Sequence, residues 1–154
     1  MKHRYAMSFK NPSSFVTFRL AKLQSRLNAQ GTAILKENSG LSLVEWRVIQ
    51  VIRMFDNPSL SQIAEHVQMD KGQLSRKIKG MIEKGLLKSQ RDDGDKRIQK
   101  LGLTEKAIEI NRHLMPIMEQ RQHNLLTDIA PDELDLFYRV IDKIEAASKI
   151  RDIK

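Results

Sequence analysis

Apolar residues recur at helical spacing along most of this chain. After Asn11-Pro12-Ser13, the positions Phe15, Phe18, Leu20, Leu23, Leu27 and Ile34 predict one long helix with a weak point at Gly31. Asn38-Ser39-Gly40 is a stop signal for it. Ser42 with Glu45 three residues on is a capping-box pattern, and it opens LVEWRVIQVIRMF, a helix with a wide apolar face. Asp56-Asn57-Pro58 breaks that helix, and Ser59 with Gln62 repeats the capping pattern before a short one, SQIAEHV. Gln68-Met69-Asp70 is a tight connection in which Asp70 is placed to cap a third short helix, KGQLSRKIKGMIEK, ended by Gly85.

The period then changes. Leu86 to Gln90 and Arg97 to Leu103 read as two short strands around Asp92-Asp93-Gly94-Asp95, a hairpin. Thr104 caps a long helix with Glu105 in its first turn and Pro116, a kink signal, inside it. Thr127 to Pro131 separates a last helix, in which Pro131 fits the first position and Asp132 and Glu133 suit the positive end. Helix, turn, helix and hairpin in that order make a winged helix-turn-helix. The fold class expected is therefore mainly α, with a small β-hairpin wing and long helices on both sides. The domain reading is residues 1–38 as an N-terminal helix, 39–104 as the winged helix-turn-helix lobe and 105–154 as C-terminal helices.

Charge adds a partner to this outline. The 154 residues carry a net charge of +8, unevenly spread. Residues 1–36 hold seven Lys and Arg and no acid, and residues 71–100 hold ten against four acids. The remaining segments are net acidic. Such patches suit a polyanion, with a merely solubilising surface as the alternative. No apolar run is long enough to span a bilayer, and the basic N-terminus has no signal-peptide core. With no cysteine, disulfides, thiolate metal sites and thiol redox sensing are excluded. The expected location is the cytoplasm, at the nucleoid.

Several stretches carry a family resemblance. Leu41-Ser42-Leu43-Val44-Glu45-Trp46-Arg47-Val48-Ile49 resembles the leucine, serine/threonine and tryptophan pattern of the MarR family of transcription regulators. Leu60 to Glu65 resembles the family's first helix of the helix-turn-helix. Gln73-Leu74-Ser75-Arg76 through Glu83-Lys84-Gly85-Leu86 resembles its recognition helix and the glycine that ends it. Asp95-Lys96-Arg97 with Leu101-Gly102-Leu103-Thr104 is similar to its wing signature. These motifs span roughly residues 40–110. The resemblance implies a transcription regulator, commonly a repressor, that binds a pseudo-palindromic operator as a two-fold dimer, and that a small, often aromatic acid releases.

On a wheel of about 100° per residue, Leu74, Ile78, Met81 and Ile82 share one side of the third short helix. Gly72, Gln73, Arg76, Lys79 and Gly80 share the other, with Lys71, Ser75 and Lys77 on the flanks. Gln pairs bidentately with adenine and Arg with guanine, so Gln73 and Arg76 are the expected base readers, with Ser75 in a lesser role. Lys71, Lys77 and Lys79 are expected at phosphates, the alternative for Lys77 and Lys84 being plain solvation. Ser61 and Gln62 are expected to meet a phosphate through backbone N–H groups. In the wing, Arg97 suits a narrow minor groove with Asp95 holding its guanidinium and Lys96 beside it; the alternative is an ion pair that only braces the hairpin.

The outer helices carry apolar stripes, Phe15, Phe18, Leu20 and Leu23 at one end and Leu134, Leu136, Phe137, Val140, Ile141 and Ile144 at the other. The resemblance makes these a dimer surface; packing within one chain is the alternative. It also suggests an effector pocket, for which Arg19, Trp46 and Met115 are candidates, Trp46 competing with a plain core role. His113 and His123 lie ten residues apart, not at ligand-pair spacing, so no metal is expected, nor any cofactor. No phosphate loop or nucleophile elbow is present and no enzymatic activity is expected. The rival function is a winged helix that binds protein without binding an operator.

Overall fold

The computed structural model describes residues 15–55, 58–91 and 99–150. The element order is α1 (Val16–Asn38), α2 (Leu43–Met54), α3 (Leu60–Val67), α4 (Lys71–Glu83), β1 (Leu87–Arg91), β2 (Gln99–Leu103), α5 (Glu105–Leu126) and α6 (Pro131–Ser148). Compactness divides the chain after Leu114, which puts α1 to the first half of α5 in one unit and the rest of α5 with α6 in another.

Local chemistry sets the boundaries in the first unit. At α2, Ser42 Oγ accepts from the Glu45 N–H at 3.3 Å and Glu45 Oε2 accepts from the Ser42 N–H at 2.8 Å. At α3 the same reciprocal pair forms between Ser59 and Gln62. Asp70 caps α4 by accepting from the Gln73 N–H at 2.9 Å. Gln68 turns the chain between α3 and α4 with a left-handed backbone, φ 56°. Gly85 ends α4 at φ 69°, where a side chain would be strained, and the Leu86 N–H bonds back to the Met81 carbonyl. α1 runs unbroken through Gly31, contrary to the weak point expected there. That glycine is buried, so it sits in packing rather than at an exposed break.

The core of this unit joins all its elements. Leu35 of α1, Val48 and Ile49 of α2, Ile63 of α3, Leu74 and Met81 of α4, Leu101 of β2 and Leu114 of α5 are all sealed from solvent. The strands pair antiparallel, with Leu87 opposite Leu103 and Ser89 opposite Leu101. Leu87 and Leu101 point inward and Lys88 outward, the alternation that a half-buried hairpin requires. Two polar bridges add to the apolar packing. Arg47 donates to Asn28 at 2.9 Å, joining α2 to α1, and Gln50 donates to the buried Asn111 at 2.7 Å, joining α2 to α5.

The second unit is different in kind. None of its described residues is buried, and Leu136, Phe137, Tyr138 and Val140 of α6 are each exposed. No helix among the described residues is long and apolar enough to cross a membrane.

Candidate nucleic-acid interface

α3, a tight turn and α4 form a helix-turn-helix, and α4 presents a polar face. Leu74, Ile78 and Met81 are buried beneath it and Ile82 is half-buried. Lys71, Gln73, Ser75, Arg76 and Lys79 are exposed, as the wheel required, and Lys77 is half-buried. Arg76 and Lys79 make no ion pair among the described residues.

α4 is held firmly at both ends. Asp70 caps its start. At its end Thr104 Oγ1 donates to the Gly85 carbonyl at 2.7 Å, and Lys106 Nζ donates to the Lys84 carbonyl at 2.8 Å. Thr104 Oγ1 also accepts from the Ala107 N–H, so one hydroxyl both caps α5 and ties it to the end of α4. A helix fixed in this way needs no further backbone ordering to present its side chains.

One acid sits beside this face. Glu45 of α2 is 2% exposed, and its Oε1 receives Lys84 Nζ at 2.6 Å with Lys77 Nζ at 3.9 Å. Glu45, Gln73, Arg76, Lys77, Gly80 and Lys84 line an open groove of about 340 Å³. Burial raises the Glu45 pKa, but hydrogen bonds from Lys84 and from the Ser42 backbone, with the charge of Lys84, outweigh it and hold the carboxyl below the ordinary 4.5. A depressed carboxylate contributes stability above its unfolded value and loses that contribution as pH falls through its folded one. The stability difference between the protein and Glu45→Gln is therefore expected to be constant near neutrality and to change only below about pH 4.5. Urea unfolding at stepped pH checks this; a change between neutral pH and mild acidity would contradict it.

The sequence reading missed this cluster. The Ser42–Glu45 spacing signalled only a cap, and Lys84 read as solvated. The Gln62 backbone N–H, expected at a phosphate, already donates to Ser59 Oγ at 3.3 Å. Ser61 is exposed at the start of α3. Asp95, Lys96 and Arg97 lie outside the described residues. Of the pocket candidates, Trp46 is buried in the core of the first unit, Arg19 is exposed on α1, and Met115 is half-buried in the second unit. None of the three lines the groove on α4. His66 is exposed and packs edge-on against Phe55, with ring centroids 4.8 Å apart.

Comparison with known proteins agrees with this geometry. The model of the MarR family matches residues 39–98, which run from before α2 into the hairpin. Similar solved structures cover nearly the whole chain. A MarR/EmrR family transcriptional regulator from Acinetobacter sp. ADP1 is 23% identical over 90% of this chain and 98% of its own, with a TM-score of 0.83. FabT of Streptococcus pneumoniae, solved in complex with DNA, is 16% identical over 87% and 95%, with a TM-score of 0.73. BpsR of Bordetella bronchiseptica, whose DNA binding is regulated by 6-hydroxynicotinic acid, is 19% identical over 82% and 98%, with a TM-score of 0.66. The chain is thus similar to the MarR family over residues 39–98 and shares the fold of these regulators.

Proposed function

We propose that this chain is a MarR-family transcription regulator that binds double-stranded DNA sequence-specifically as a homodimer, on a pseudo-palindromic operator in the cytoplasm. The observation that carries this reading is the face of α4. An amide and a guanidinium, Gln73 and Arg76, stand exposed on a helix anchored at both ends, flanked by Lys71 and Lys79. Gln73 and Arg76 read base edges in the major groove, with Ser75 assisting. Lys71 and Lys79 hold phosphates, with Ser61 and Lys77 in lesser roles. Gly80 supports close approach. A Cβ there meets nothing within 4 Å, so internal packing does not require a glycine in mid-helix. Asp95, Lys96 and Arg97 stay candidate DNA contacts on the sequence alone.

The exposed apolar residues of α1 and α6 support the dimer. Phe18 and Leu23 on α1, and Leu136, Phe137 and Val140 on α6, are each more than 40% exposed in the single chain. The second unit buries nothing alone, and a helix pair with such a stripe needs a partner surface. The symmetry of the dimer then sets two half-sites about one DNA turn apart. Repression is the direction proposed, relieved by a small aromatic acid; the regulation of BpsR by 6-hydroxynicotinic acid supports that class of effector.

The test is selection of bound fragments from a random DNA pool, followed by titration of the best fragment and its scramble at two salt concentrations. A pseudo-palindrome bound at least about a thousandfold more tightly than its scramble, with a steep salt slope, is the expected result. No enriched sequence and no salt slope would overturn the reading in favour of a protein-binding winged helix.

A further inference from the structure

The DNA-facing groove contains an acid, and its position is fixed. One carboxylate oxygen of Glu45 accepts from the Ser42 N–H at 2.8 Å and the other receives Lys84 at 2.6 Å. The side chain is 3% exposed, whereas Lys84 is 58% and Lys77 35% exposed. Two cations of the α4 region are thus turned toward an internal anion. Arg76 and Lys79 are not. A buried anion beside a DNA face acts in two ways. It cancels one positive charge locally, and it repels a phosphate that approaches the groove from the Lys84 end. Discrimination between partners is often achieved by such a repulsive element placed next to the attractive ones.

We propose that Glu45 is a specificity-determining residue: its pinned carboxylate withdraws Lys84 and, in part, Lys77 from general phosphate binding and leaves discrimination to Gln73 and Arg76. This rests on the DNA-binding reading above. Non-specific affinity is essentially electrostatic, so it is more sensitive to a freed lysine than operator affinity, whose geometry base contacts hold in place.

The substitution that isolates the charge is Glu45→Gln. Glutamine preserves the cap, since Gln62 already serves α3 in the same way, accepting from the Ser59 N–H at 2.8 Å. The expected result is a rise of about three- to tenfold in affinity for scrambled duplex at moderate salt, with a log–log salt slope steeper by about one. Operator affinity rises less, so the specificity ratio falls. Lys84→Gln is the companion variant. Lys84 already pairs with Glu45 rather than phosphate, so its loss is expected to leave the salt slope unchanged. Circular dichroism confirms that each variant is folded, and the Lys84→Gln slope decides alone if Glu45→Gln does not fold. An unchanged slope and ratio in folded Glu45→Gln, or a slope flattened by about one in Lys84→Gln, would overturn the assignment of Glu45. If the unaltered protein binds DNA steeply with salt and the variants behave so, only Glu45 loses its role. If the unaltered protein shows no salt-dependent DNA binding, the DNA-binding reading falls and this inference with it.

Discussion

Leu74→Ala is expected to destabilise the winged-helix lobe by about 2–5 kcal/mol. Leu74 is fully buried under α4, in a core shared with Ile49, Ile63 and Met81. Truncating it removes the transfer energy of its methylene and methyl groups. It also leaves a cavity that a core anchored by α2, α3 and the hairpin cannot readily collapse. Gln73→Ala, one residue earlier on the exposed face, is expected to change stability by no more than about 0.5 kcal/mol. Urea unfolding at a fixed protein concentration compares the two, since the proposed dimerisation would make apparent stability depend on concentration. A cost for Leu74→Ala close to that of Gln73→Ala would mean that α4 is not docked on the core through this face.

The second large effect is on DNA. Arg76→Ala is expected to weaken operator binding by about 1–3 kcal/mol and to relax preference at one base pair. Binding to scrambled DNA should change little. Arg76 is suited to this role because its guanidinium is exposed and engaged in no ion pair among the described residues. Lys79→Ala should instead weaken both duplexes alike and flatten the salt slope by about one. Paired titrations of operator and scramble read out both variants. An equal loss on both duplexes for Arg76→Ala would make it a phosphate contact and leave base reading to Gln73.

These two residues show what was legible in the sequence. Leu74 and Arg76 are two positions apart, yet the wheel put them on opposite faces, because a 3.6-residue turn converts spacing directly into direction. The caps were legible for a related reason. Ser42 with Glu45, Ser59 with Gln62, and Asp70 with Gln73 are partners three residues apart, a distance that the first turn of a helix closes by itself. Gly85 and the hairpin that follows it also depend on local backbone preference.

Other features depended on the packing of distant segments. Lys84 finds Glu45 across 39 residues of chain, and Gln50 finds Asn111 across 61. No periodicity encodes either pair. Each exists because the fold brings side chains of α2 to the end of α4 and to α5, so that residues far apart in sequence meet. The same cause explains Gly31, which reads as a weak point of the helix in isolation but is buried in an unbroken α1. The sequence alone determined the helices, their caps, the winged helix-turn-helix order and the outward residues of α4, since each follows from interactions within a turn or two. The tertiary structure alone decided that an acid from α2 stands in the groove on α4 and pairs with Lys77 and Lys84, because electrostatic pairing depends on distance in space and not along the chain.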